Sequence, residues 1–156
     1  MRDKRFVAEH RGGILKKEQH YQLIKWACDC SSHVLPLFGK KIDPRLLNAL
    51  FISKEWTKGK ASVGDARKAS VECHKLAREL SNPVSIAIAR AVGHSVATAH
   101  MADHSLGGAL YGLKAVKISG QSVDKERKYQ NKKLPPEIKE LVLNAISKKE
   151  KHFKIY

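Results

Sequence analysis

The sequence has few aromatic residues, few cysteines, a small share of acidic side chains and no long apolar run, and each shortage excludes something. Nothing in its 156 residues approaches the roughly eighteen uninterrupted apolar side chains of a membrane span. Met1-Arg2-Asp3-Lys4-Arg5 has no apolar stretch behind it, so no secretory leader is expected. Aromatics make up only 6% and no hairpin dipeptide stands between alternating segments, which disfavours strands. The three cysteines, Cys28, Cys30 and Cys73, are odd in number. Cys28 and Cys30 would also diverge on a helix, so no disulfide framework is expected and a reducing cytoplasm fits. Gly-x-Ser-x-Gly, a P-loop, a dinucleotide fingerprint and His-Glu-x-x-His are all missing, leaving nucleophilic, nucleotide-dependent and zinc-protease chemistry without a sequence basis.

Acidic residues are outnumbered two to one: 15 Asp and Glu against 30 Lys and Arg, a net charge of +15 and a pI near 9.9. Such a field attracts acidic proteins, nucleic acid or anionic surfaces. Hydrophobic residues reach 42%, enough for one packed domain at this length.

What is present is helical punctuation. Residues 1–13 are basic and end in Gly12-Gly13, which reads as an arm leading into a single domain over 14–156. A first helix is expected from Lys16 to the Pro36–Gly39 region, because Tyr21, Leu23/Ile24, Ala27, Cys30/Ser31 and Val34 follow the helical period. Asp43-Pro44 caps a second that stops at Gly59. Ser62 and Asp65 form a capping box for a third, to about Leu80. Asn82-Pro83 opens a fourth, expected to reach about His104. Gly107-Gly108 is read as a break before a fifth over about 109–117. Ser122 caps a short sixth, and Pro135-Pro136-Glu137 opens a seventh. The expectation is an all-α single-domain bundle of about six to seven helices. Between Pro83 and Val116 only Arg90, Asp103 and Lys114 are charged, so the fourth and fifth helices should form a central apolar hairpin. Gly93 and Ala97 would let a neighbour approach closely.

Asp29/His33 and His100/His104 are each four apart, so each pair would share a helix face. The expected arrangement is a buried polar network joining the first and fourth helices, with no metal and no cofactor. Four ligands from facing helices would be the alternative. His74 and His94 are read as separate core or interface histidines.

The stretch from Leu23 to Phe38, with Val63-Gly64-Asp65-Ala66-Arg67-Lys68-Ala69, Ala91 through His104, Gln130 and Leu134-Pro135-Pro136-Glu137-Ile138, resembles a bacterial immunity-protein family of polymorphic toxin systems. The shared segments cover nearly the whole chain. The resemblance implies an all-helical protein that binds and neutralises a cognate toxin, and it carries over no site residues; with no catalytic motif present, a non-enzymatic protein is expected. The net charge of +15 sets the chain apart from acidic inhibitors of basic nucleases and suits an acidic toxin. A basic accessory protein contacting phosphates through its paired lysines is the second reading. A metal-dependent helical-bundle enzyme is the third. Nucleic acid is expected to bind only weakly at low salt, membranes not at all, and oligomeric state is not legible.

Overall fold

The structure is a computed structural model and describes residues 3–155. Among them there are seven α-helices: α1 (Lys17–Val34), α2 (Pro44–Thr57), α3 (Val63–Glu79), α4 (Pro83–Ala97), α5 (His104–Ile118), α6 (Val123–Lys132) and α7 (Pro136–Phe153). The described residues contain no strand, and they form the expected all-helical bundle as a single compact domain.

The helix starts are set locally. The Asp43 carboxylate accepts from the Arg45 N–H at 2.9 Å. Ser62 and Asp65 cap one another reciprocally at 3.0 and 2.9 Å. Asn82 Oδ1 accepts from Val84 and Ser85 N–H, and Ser122 Oγ accepts from Lys125 N–H. Each cap satisfies a backbone donor that the helix itself leaves unpaired, worth about 1 kcal/mol.

One boundary differs from the sequence reading. α4 ends at Ala97 and α5 begins at His104, so the break lies at 98–103 and Gly107-Gly108 sit inside α5. Two contacts account for this. His20, buried on α1, donates Nε2–H to the Thr98 carbonyl at 2.6 Å and so takes up a helix-terminal acceptor. The glycines are placed by packing: a Cβ on Gly108 would stand 2.6 Å from Ser95 Oγ and 3.2 Å from Ala27 Cβ. The helix propensity lost at each glycine, about 1 kcal/mol, is outweighed by the approach of α1, α4 and α5 that their missing side chains allow.

α4 and α5 pack on each other at the centre. α4 also meets α1, α2 and α3, and α5 also meets α1, α6 and α7. Ile88, Val92 and Val96 of α4 pack with Ile24, Leu46 and Leu76. Leu106, Leu110 and Leu113 of α5 pack with Trp26, Ile138 and Val142. All of these are at most 3% exposed, and each contributes roughly 1.5–3 kcal/mol of burial.

Met1 and Arg2 of the expected arm lie outside the described residues. From Asp3 on, the segment folds onto the bundle. Phe6 and Leu15 are buried with the α5–α7 side of the core. Leu15 N–H donates to the Val7 carbonyl and Glu9 N–H to the Leu15 carbonyl, both at 3.0 Å.

Candidate functional site

The four residues expected to form one network fall in two places. His33 points out of the bundle, with its side chain 43% exposed, and its Nδ1 meets the two oxygens of Glu126 at 2.7 and 3.0 Å. Its ring stacks on Tyr129 at 3.6 Å between centroids. The partner helix is therefore α6 and not α4. Glu126 and Tyr129, three apart, share an α6 face. That spacing is legible in the sequence, but which helix it meets is not. Asp29 lies at the surface on α1. Partial burial raises its carboxyl above the ordinary range, while Lys133 and Lys25 work in the opposite direction.

His100 and His104 do not share a helix face, because the α4–α5 turn separates them. Their rings stand 5.4 Å apart in a tilted arrangement. His104 belongs to a larger cluster that the sequence reading missed. Its Nδ1 is 3.2 Å from Nδ1 of His94. His94 lies edge-on to His74 at 5.3 Å and stacks on Tyr111 at 5.2 Å. Arg90 Nη1 donates to His74 Nδ1 at 2.7 Å. Guanidinium can only donate, so His74 Nδ1 accepts and the His74 proton is on Nε2.

This cluster ties α3, α4 and α5 together. Two glycines make room for it: a Cβ on Gly93 would stand 2.9 Å from the His74 ring, and one on Gly107 would stand 2.7 Å from His94 Nδ1. Burial pushes His74 down to about 4, helped by Arg90 and Arg78, and His94 down to about 3, helped by His104 and His74. Both imidazoles are thus neutral at physiological pH. The helical spacing of Arg90 and His94 is the one sequence signal for the cluster; the contribution from α3 has none.

Among the described residues no group of three or more His, Cys, Asp or Glu is arranged to hold a metal ion. The thiols are held in their unreactive form: burial pushes Cys28 and Cys73 up to about 12 and Cys30 well above its usual value. A thiol at such a pKa is a small apolar side chain and not a nucleophile.

A groove of about 690 Å³ lies between α1 and α2. Ile24 and Ser53 are buried beneath it, Cys28 is partly covered, and Lys25 and Lys54 are exposed beside it. Phe51, on its α2 side, is 58% exposed, and Leu47, one turn earlier, is 51% exposed. Two large apolar side chains stand in solvent on one face of a helix, where burial would be favourable. Among the described residues no helix is long and apolar enough to cross a membrane.

No curated protein and no solved structure matches this chain. Residues 13–137 do match the family described as "Imm-5 like putative immunity protein", a span that includes α1 through α6 and the opening of α7. That match covers most of the 156 residues, and the chain belongs to this family of Imm-5 like immunity proteins.

Proposed function

We propose that the protein neutralises a cognate bacterial toxin by binding it, acting in the cytoplasm and without chemistry of its own. Family membership over residues 13–137 carries this reading. Two features support it. His74 and His94 of the half-buried histidine cluster are held neutral, and the thiols are held protonated, a form poor at nucleophilic attack. The net charge of +15 would speed encounter with an acidic toxin surface and select against basic ones. The domain over 14–156 would act as a single unit with no cofactor needed, and residues 3–13 lie against it.

Co-expression with candidate toxin genes drawn from the neighbourhood of this gene tests the reading. Growth should be restored, and the two proteins should purify as a stoichiometric complex. Continued killing, with no complex on size-exclusion chromatography, would reject it. The same +15 charge also favours association with nucleic acid, expected to be weak and to fade as salt approaches physiological strength.

A further inference from the structure

We propose that the α1–α2 groove is the toxin-docking surface, and that it receives a partner segment presenting an apolar side chain flanked by carboxylates. The proposal rests on the toxin-binding reading and gives it a place on the molecule.

α2 carries two different faces. Leu46, Ala49 and Ser53 point inward and are buried. Leu47, Phe51, Lys54 and Lys58, spaced by four, three and four residues, lie along the opposite side, and all four are exposed. That outward stripe is apolar in its first half and basic in its second. A structural helix of this kind would be expected to present polar residues to water throughout. Here Phe51 and Leu47 are left more than half exposed.

Small side chains form the floor of the groove beside the stripe. Cys28 and Ser53 face one another where larger side chains would fill the space between the helices. The Ser53 hydroxyl is turned inward, donating to the Ala49 carbonyl at 2.8 Å, so it does not make the floor polar toward a ligand. An apolar partner side chain could enter here and cover Phe51.

Charge identifies the partner. Lys25 of α1, Lys54 of α2 and Lys58, the residue that follows α2, stand around the groove, against one lining carboxylate, Asp29. Lys58 makes a long contact to Glu55, at 3.9 Å. Like charges gathered beside exposed apolar surface suit an acidic segment, which gains Coulomb attraction on approach and burial on docking. The lysines would govern the rate of encounter and its salt dependence, and the Phe51 region would govern dissociation.

The test uses the toxin domain identified by the co-expression experiment, in a non-toxic variant, with titration calorimetry and stopped-flow mixing. Three variants are compared with the native chain: Phe51→Ala, the reversal Lys54→Glu/Lys58→Glu, and a control reversal, Lys128→Glu/Lys139→Glu, on α6 and α7. All five substituted positions are exposed, so folding should survive, and circular dichroism verifies that it does. Phe51→Ala is expected to weaken binding at least about tenfold through faster dissociation. Lys54→Glu/Lys58→Glu should slow association about tenfold or more at low salt. The control should change affinity no more than its net-charge change implies, roughly two- to threefold. Native-like affinity in both groove variants, or equal losses in the control, would overturn the groove while leaving toxin binding intact. Absence of binding by the native chain would overturn both readings.

Discussion

Gly108 of α5 passes so close to Ser95 of α4 that a Cβ at 108 would lie 2.6 Å from the serine hydroxyl oxygen. That hydroxyl is fully buried and lies within hydrogen-bonding distance of the Ala27 carbonyl and Ser31 Oγ of α1, at 3.1 and 3.0 Å. Three helices therefore meet at one small-residue junction. Gly108→Ala is expected to destabilise the protein by about 1–3 kcal/mol, since the added methyl must displace a bonded hydroxyl or part the helices. Gly64→Ala is the control: its Cβ would meet only Ser62 Oγ, at 3.5 Å, and should be neutral or slightly stabilising. Urea denaturation of the two variants separates close packing from a general cost of losing glycine. Equal midpoints would show that α5 has room to shift.

The pair His33–Glu126 joins α1 to α6, and its two ends are unequally buried. Glu126 is 7% exposed, whereas the His33 side chain is close to half exposed. Removing His33 leaves a buried carboxylate short of a donor, while water can reach the other side of the pair. His33→Ala should therefore cost about 1 kcal/mol, with the lost stack on Tyr129 included. Glu126→Gln keeps an acceptor oxygen and should cost less. A double-mutant cycle is expected to give a coupling of about 0.5–1.5 kcal/mol. Additivity within error would mean that the contact contributes nothing.

The histidine cluster sets the response to acid. His74 and His94 are held near 4 and 3 in the fold, against about 6.5 in an unfolded chain. A depressed histidine pKa means that the unfolded state binds protons first as pH falls. Stability should thus be fully present above pH 6.5 and should decline from there down to about pH 3–4. His20, also lowered by burial, acts in the same direction. Thermal melts between pH 7.5 and 4 should show a falling Tm. His74→Gln should flatten the curve, because the side chain can still accept from Arg90 through its amide oxygen yet cannot titrate. A native curve that stays flat over this range would contradict half-buried, neutral imidazoles.

The helix caps were readable because they are local: Asp43, Ser62, Asn82 and Ser122 each act on a backbone N–H two or three residues ahead. The central position of α4 and α5 was readable from the scarcity of charge between Pro83 and Val116. The Gly107-Gly108 pair misled because glycine marks both a helix end and a close helix contact, and only the tertiary neighbours His94 and Ser95 distinguish the two. The same limit explains the polar residues. The four-residue spacing of Asp29 and His33 locates them on α1 but does not specify that α6 supplies Glu126. That of His100 and His104 lost its meaning once a turn intervened. The α1–α2 groove had no signal, since it arises from what two helices fail to fill.

A final prediction concerns α1, α5 and α6, which meet around Trp26 and Gln130. The Trp26 indole N–H donates to the Gln130 carbonyl at 2.8 Å, and Gln130 Nε2 donates to the Ala109 carbonyl at 3.0 Å. Both side chains are 2% exposed, so water cannot substitute for either bond. The two contacts use different atoms of Gln130, one from its backbone and one from its side chain, and can be removed separately. Trp26→Phe deletes the indole donor and part of the packed volume and should cost about 2–4 kcal/mol. Gln130→Leu keeps the carbonyl that Trp26 uses and loses only the side-chain bond, gaining apolar contacts in return, so about 0.5–1.5 kcal/mol is expected. The chain has two tryptophans, so Trp56→Phe is introduced as the background in which emission reports on Trp26 alone. In Gln130→Leu the fluorescence of Trp26 should keep its native emission maximum until the main unfolding transition. A red-shifted maximum before that transition, or a larger loss from Gln130→Leu than from Trp26→Phe, would show that the glutamine side chain and not the indole holds α6 in place.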